Sequence, residues 1–122
     1  MSRFIYQRFT INAAEGASSE KTFEFNRKVK KIVSVQVTSS HPDKAYFRGS
    51  NRIEISGEEF FAEGHETKLM MSNQGVAPEQ RFTCIGDVDP GNYQLKINYK
   101  DTAHASAAFG AYSVTYIFKC IV

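Results

Sequence analysis

Histidine and cysteine are the side chains with which this sequence would perform nucleophilic chemistry. His41, His65 and His104 all lie in stretches that read as loops, and neither Cys84 nor Cys120 has a histidine close to it along the chain. A serine or cysteine nucleophile needs an adjacent base, and the sequence lacks the G-x-S-x-G turn that presents a catalytic serine. The spacing therefore favours solvated loop histidines over a catalytic triad.

Two short acidic stretches are the candidates for a metal or glycosidase site. The stretch DVDPGN begins like a calcium-binding EF-hand loop at Asp87, but Pro90 and Gly91 interrupt the ligand pattern and no glutamate follows at the required position. Glu58 and Glu59 are adjacent, so they would point to opposite faces of an extended chain and not flank one bond. We therefore predict a hairpin turn at Asp87, and no enzyme activity, cofactor or metal site.

Two clusters of opposite charge are the remaining polar features. The basic cluster is RKVKK at residues 27–31, and the acidic cluster is EEFFAEGHE at residues 58–66. Their charged side chains are Arg27, Lys28, Lys30 and Lys31, and Glu58, Glu59, Glu63 and Glu66. One interpretation is two unrelated solvated loops, since charged residues are mostly exposed. The other is head-to-tail association of two copies, because patches of opposite sign orient partners.

A self-associating protein is expected to combine these charges with aromatic side chains. Phe60 and Phe61 are adjacent, so one of the two rings would leave the core of an extended segment. The loop TAHASAAFGAY is long and has mostly small residues around Phe109, which suits a close contact. The net charge of only +2 does not favour nucleic acid as a partner. The predicted interface residues are Arg27, Lys28, Lys30, Lys31, Glu58, Glu59, Phe60, Phe61 and Phe109.

The elements that must position these residues are β-strands. Apolar residues recur at every second position, which is the period of a strand with one wet face. In the stretch YQLKINY, Leu95 and Ile97 fall on one face, and Gln94, Lys96 and Asn98 fall on the other. The same alternation predicts further inward-facing positions, namely Val33, Val35, Val37, Val114, Tyr116, Phe118 and Cys120.

Turn-forming stretches such as SSHPDK, SNQGVAPE and DVDPGN separate about eight or nine short strands, KAYFRG and TKLMMS among them. The stretch GEEFFAEGHETKLMM is predicted to form at most one helical turn before Gly64. A length of 122 residues with 42% hydrophobic residues is typical of one domain, residues 1–122. We therefore predict an all-β, antiparallel β-sandwich of jelly-roll or Greek-key type.

The stretch MSRFIYQRFTINAAEG does not have the pattern of a secretory signal peptide, because Gln7 and Arg8 interrupt its apolar residues. No apolar run is long enough to cross a bilayer as a helix. We therefore expect the chain to stay in a cytoplasm, where thiols remain reduced. Cys84 and Cys120 are in phase with aromatic core positions, so both are predicted to be reduced and largely buried.

The whole chain resembles the small all-β virion proteins of bacteriophages, which include head-decoration, head-fibre and capsid jelly-roll proteins. The resemblance rests on a strand-like start, RFIYQRFTI, a strand-like end, AYSVTYIFKCIV, and a wealth of Tyr and Phe in the strands. It implies a non-enzymatic structural or assembly protein that forms symmetric oligomers with itself, and contacts other virion proteins. It also implies a location in the virion, after assembly in the host cytoplasm.

The alternative function is a ligand-binding β-sandwich, such as a carbohydrate-binding module. Such a module needs exposed aromatic rings on one face or at one loop end. The candidate rings are those of Tyr46, Tyr93 and Tyr112. No membrane partner and no small-molecule substrate follow from the sequence.

Overall fold

A computed structural model describes residues 3–71 and 82–122 of the chain. Its strands are β1 (Phe4–Asn12), β2 (Ser18–Glu24), β3 (Lys31–Ser39), β4 (Gly49–Ile55), β5 (Glu58–Glu66), β6 (Thr83–Val88), β7 (Gln94–Asp101) and β8 (Ser113–Ile121). A helix, α1, covers Pro42–Arg48, and a 3₁₀ helix covers Thr67–Met70. The turn predicted at residues 72–79 lies outside the described residues.

The eight described strands form two antiparallel sheets. The first sheet has the strand order β1-β8-β3-β6, and the second has the order β2-β7-β4-β5. Apolar side chains of both sheets join one hydrophobic cluster. This arrangement confirms the predicted all-β antiparallel sandwich.

The core confirms the period-2 pattern in the two central strands. In β7, Leu95, Ile97 and Tyr99 are all 0% exposed, as the alternation predicts. In β8, the fully buried side chains are Val114, Tyr116, Phe118 and Cys120. Both strands have a hydrogen-bonded neighbour on each side, so their inward residues are covered by the facing sheet and by adjacent strands.

A β-bulge in β3 overturns one predicted face. The register of β3 shifts between Ile32 and Ser34 against both of its neighbours. Ile32 is therefore 0% exposed and takes the inward position, whereas Val33 is only partly buried and turns to the outer face. Val35 and Val37 remain buried as predicted. An extra residue in one strand reverses the alternation on one side of the bulge.

The helical segments also differ from the sequence prediction. KAYFRG, predicted as a strand, lies in α1 except for Gly49, which begins β4, and TKLMMS contains the 3₁₀ helix. Pro42 stands in the first turn of α1, where its missing N–H is no loss, and Asp43 favours the positive end of the helix. Residues 58–66, predicted to contain at most a helical turn, form the strand β5.

Candidate functional site

The predicted basic cluster lies at one end of the sandwich. Arg27, Lys28 and Lys30 line an open pocket of 680 Å³ between the β2–β3 loop and the β6–β7 turn. The first sheet adds Arg3, whose carbonyl oxygen accepts a 2.9 Å hydrogen bond from the Val122 N–H. We call this site the basic pocket. Arg3 is far from the RKVKK stretch in sequence, and only the β1–β8 register indicates that it joins the cluster.

The predicted acidic cluster is partly neutralised by its neighbours. It forms β5, the outer strand of the second sheet. Glu59 is ion-paired with Arg52, and Glu66 is ion-paired with Lys68 at 3.0 Å. Glu58 is exposed. The negative patch is thus weaker than the sequence indicates, and a head-to-tail contact through opposite charges loses much of its basis.

Phe60 and Phe61 are both partly buried and both pack against the core. The prediction that one ring leaves the core is therefore wrong. The β4–β5 pairing contains two register shifts, which break the strict alternation of faces along this strand. The Phe61 ring also contacts the His65 ring, with centroids 4.8 Å apart. The side chain of Glu63, between them in sequence, lies outside the described part of the chain.

The outer face of the first sheet carries an aromatic surface that the sequence prediction missed. Phe4 and Tyr6 point away from the core on β1 and are 47% and 46% exposed. The Tyr6 ring contacts the Phe82 ring at a centroid distance of 5.8 Å. Lys119 lies 4.5 Å above the Phe4 ring. An open pocket of 430 Å³ beside these rings is lined by residues that include Phe4, Val33, Phe82, Cys84, Asp87 and Ile121. We call this surface the aromatic face.

The long loop between β7 and β8 is anchored by a buried ion pair. Arg48 donates to both carboxylate oxygens of Asp101, at 2.9 and 2.8 Å, and to the Ala107 carbonyl at 2.9 Å. The Phe109 ring lies 5.4 Å from the guanidinium group of Arg48. Phe109, predicted as an interface residue, is thus a partly buried anchor for the loop. The loop closes one end of the sandwich.

A chain of buried hydroxyl groups continues from this ion pair into the core. Tyr112 donates to Asp101 at 2.6 Å, and its hydroxyl oxygen lies 2.8 Å from that of Tyr99. Burial raises the pKa of Tyr99 to about 12, and burial together with Asp101 raises the pKa of Tyr112 further. Tyr116 donates to Asn51, and burial also raises the pKa of Tyr116. These hydroxyls stay protonated at neutral pH, so they act as structural hydrogen-bond donors.

The three tyrosines of the carbohydrate-binding alternative do not share one surface. Tyr112 is only 5% exposed, and Tyr93 is half-buried beneath Arg27. Tyr46 is 45% exposed and stands next to Phe47 on α1, with ring centroids 4.9 Å apart. The predicted ring of exposed tyrosines is therefore wrong. The exposed aromatic pair at Tyr46 and Phe47 lines a pocket of 200 Å³, which we call the α1 cleft.

The two cysteines are unpaired, as predicted, but only one is buried. Cys120 is 0% exposed, and burial raises the pKa of its thiol to about 12. Cys84 is exposed, so the prediction of burial is wrong at this position. It pairs in register with Ser34 across β6 and β3, and its side chain projects from the outer face of an edge strand. Cys84 and Phe82 lie on the same side of their segment, as predicted, but that side belongs to the aromatic face and not to the core.

Residues 3–71 and 82–122 contain no group of three or more metal-ligating side chains. Within the same residues, no helix is long and apolar enough to cross a membrane. Comparison with protein-family models, with curated proteins and with solved structures found no match.

Proposed function

We propose that the protein is a non-enzymatic structural protein, built on a jelly roll, that assembles as symmetric oligomers. The jelly-roll inference rests on strand pairing, because β1 neighbours β8, β2 neighbours β7, β3 neighbours β6 and β4 neighbours β5. This nested pairing results when one long antiparallel hairpin is rolled into two sheets. Jelly rolls are frequent in viral capsid proteins and in lectins, so the topology suits an assembly protein and a carbohydrate-binding protein alike.

The aromatic face is the observation that carries the assembly function. The outer faces of an antiparallel sandwich are ordinarily polar, but here Phe4 and Tyr6 are nearly half exposed beside an open pocket whose lining includes the apolar side chains of Val33, Phe82 and Ile121. Projecting rings and a pocket on one patch make that patch self-complementary. A surface of this kind suits a two-fold interface between two copies, in which each copy's rings enter the other's pocket.

The proposal is tested by measuring the molar mass of the protein with size-exclusion chromatography and light scattering over a range of concentrations. The unmodified protein is expected to form a dimer or a higher oligomer of even number. The double variant Phe4→Ser/Tyr6→Ser is expected to raise the dissociation constant by about hundredfold or more, since a central aromatic residue contributes about 2 kcal/mol or more to an interface.

Leu69→Ser is the matched control, because Leu69, at 63%, is the most exposed large hydrophobic residue within residues 3–71 and 82–122 but lies on the 3₁₀ helix and does not line the pocket of the aromatic face. It should leave the oligomer unchanged. A protein that is monomeric at every concentration would refute the assembly function. An oligomer that both variants weaken equally would place the contact elsewhere and refute the role of the aromatic face.

The placement of the oligomer in a virion rests on analogy between this topology and capsid domains, and fold alone does not determine function. The proposal is that the chain is a capsid, decoration or fibre component. Purified particles from the source organism, analysed by electron microscopy and mass spectrometry, should contain this chain in a fixed ratio to the other particle proteins. Absence from such particles would refute the virion placement while leaving the dimer test intact.

The α1 cleft supports carbohydrate binding as the second candidate function. Tyr46 and Phe47 present exposed rings beside the polar groups of Glu66, Lys68 and Thr102, and aromatic rings with nearby hydrogen-bonding groups are suited to sugars. A glycan array followed by chemical-shift mapping tests this function. Binding that is lost in Tyr46→Ala and kept in the Leu69→Ser control would establish it.

A further inference from the structure

The floor of the basic pocket is fixed by buried residues and backbone hydrogen bonds. Val29 is 2% exposed, and Pro90 is buried. The Val29 N–H donates to the Asn26 carbonyl at 3.0 Å, and the Lys30 N–H donates to the Ile121 carbonyl at 2.7 Å. The Val29 bond closes a turn inside the β2–β3 loop, and the Lys30 bond ties the loop to β8 of the first sheet. The backbone that presents these cations is held in place before any ligand arrives.

One wall of the pocket is an arginine stacked on a tyrosine. The Arg27 guanidinium lies 4.7 Å from the centre of the Tyr93 ring and bonds to Glu24 at 2.7 Å. Tyr93 has a φ of 65°, and its N–H donates to the Pro90 carbonyl at 2.8 Å. Its own carbonyl accepts from the Phe25 N–H at 2.8 Å. The turn thus holds the ring, and the ring orients the guanidinium.

The charge of the basic pocket is only partly compensated, because Arg27 is paired with Glu24 but the other three lining cations have no such partner in the described part of the chain. Arg3, Lys28 and Lys30 have no carboxylate within ion-pair distance among residues 3–71 and 82–122. Asp89 is the acidic residue of the pocket lining, and its carboxylate lies 3.9 Å from the Lys31 ammonium group. Neighbouring cations that outnumber the carboxylates around them create a positive potential that attracts anions. This contrasts with β5, where Glu59 and Glu66 are each paired with a neighbouring cation.

We propose that the basic pocket binds a small anion that carries two or more phosphate groups. Its volume of 680 Å³ suits a ligand of nucleotide size, since small-molecule sites are about 300–1,000 Å³. Several cations favour a multivalent anion, and arginine and lysine both bond to phosphate oxygens. The acidic strand β5 of a second copy is less favoured because its Glu59 and Glu66 are already ion-paired, and a nucleic acid is less favoured because the net charge is only +2.

Isothermal titration calorimetry with the intact protein tests the proposal. The probes are inorganic pyrophosphate, adenosine diphosphate, adenosine and a single-stranded oligonucleotide, at low and at high salt. Pyrophosphate, adenosine diphosphate or both should bind, more weakly as salt is added, and adenosine should not. Tighter binding of the nucleotide would assign the site to a nucleotide, and equal binding would assign it to free polyphosphate.

The variant Lys28→Gln/Lys30→Gln removes two exposed cations of the pocket and should weaken binding at least about tenfold, because charge-assisted contacts are lost. The matched control Lys21→Gln/Lys100→Gln removes two exposed cations from β2 and β7 outside the pocket lining. It should change the affinity less than about twofold. Equal effects of the two variants, no binding of either phosphate probe, or binding of the oligonucleotide alone would each overturn the proposal.

Discussion

At the scale of single residues, Asp101 joins three parts of the chain. Its carboxylate accepts hydrogen bonds from Arg48 on α1, from Tyr112 at the end of the long loop and from the Gly16 N–H before β2. Burial alone would raise the pKa of Asp101, but these donors outweigh it and lower the pKa from 3.8 to about 2. The carboxylate is therefore charged at neutral pH.

A pH dependence of stability follows from that shift. A carboxyl group with a lowered pKa stabilises the folded state above its unfolded pKa, and this contribution is lost as the pH falls towards the folded pKa. Asp101 should therefore contribute fully above about pH 5 and lose its contribution between about pH 4 and pH 2. We expect Asp101→Asn to lower the free energy of unfolding at pH 7 by about 3–5 kcal/mol, because it leaves the buried Arg48 without a counter-ion.

Urea unfolding of Asp101→Asn between pH 7 and pH 2 measures both effects. The variant should show a smaller loss of stability than the unmodified protein as the pH falls from 4 to 2. Asp89→Asn is the control, because its side chain is 79% exposed and its ion pair is long. Equal pH profiles for Asp101→Asn and the unmodified protein would contradict the assigned role of the carboxylate.

The two thiols are predicted to react at very different rates. Cys84 is exposed to reagents, whereas Cys120 is buried and burial raises the pKa of its thiol to about 12, so only Cys84 is expected to react in the folded protein. Intact-mass measurement should show one alkylated site under native conditions and two after unfolding. Oligomerisation through the aromatic face should slow the native reaction, since Cys84 lines that face. Two sites modified in the folded protein would contradict the burial of Cys120.

At the scale of elements, the bulge in β3 decides which side chains the first sheet presents. It moves Ile32 into the core and Val33 to the aromatic face. Strict alternation along this strand would instead place Val33 in the core and Ile32 on the outer face. The aromatic face therefore depends on one irregularity of backbone pairing as well as on its aromatic residues.

A matched pair of adjacent substitutions tests this bulge. Ile32→Ala is expected to cost about 2–5 kcal/mol of unfolding free energy, because it leaves a cavity in the core. Val33→Ala should cost less than about 1 kcal/mol, because its side chain is partly exposed on the outer face. Both values come from one denaturation experiment. A larger loss of unfolding free energy for Val33→Ala than for Ile32→Ala would indicate that β3 has the regular register without the bulge.

The regular strands could be predicted because their period is a local property. Leu95 and Ile97 in β7 and the inward residues of β8 follow from alternation alone. The outward turn of Val33, the exposure of Cys84 and the partial burial of Phe60 depend on bulges and on which strands lie at an edge. Such features arise from pairing between distant segments, which one sequence does not display.

The helix α1 and the full set of residues in the basic pocket could not be predicted from the sequence for a similar reason. Pro42 is a signal for the first turn of a helix as well as for a loop, and the residues after it decide between the two. The sequence identified Arg27, Lys28 and Lys30 as a cluster because they are neighbours along the chain. Arg3 joins them only through tertiary structure, and the pairing of Glu59 with Arg52 needs the β4–β5 hairpin.

At the scale of the whole molecule, two surfaces of different chemistry adjoin at the beginning of β1. Arg3 lines the basic pocket, and the next residue, Phe4, belongs to the aromatic face. Charge interactions between exposed groups are screened by salt, whereas burial of apolar surface is not. The two proposed activities of these surfaces are therefore separable in one protein preparation.

We expect added salt to weaken ligand binding at the basic pocket strongly and association through the aromatic face only slightly. Raising sodium chloride from about 0.05 M to about 0.5 M should weaken pyrophosphate binding at least about tenfold and change the dissociation constant of the oligomer less than about threefold. Calorimetry and light scattering measure these two quantities. Dissociation of the oligomer at high salt would instead show that charges, such as those of Lys28 and Lys30, hold the copies together.

The pairing of β1 with β8 has a consequence for how the protein reaches its fold. Thr10 and Thr115, which bond to each other across these strands, are 105 positions apart. The topology therefore has a high contact order, and stopped-flow refolding is expected to take milliseconds to seconds. Because β8 separates β1 from the β3–β6 pair, the first sheet cannot be completed during translation until β8 has left the ribosome. A nascent chain that stalls before this point exposes two unpaired strand edges, which are the preferred targets of chaperones and of aggregation.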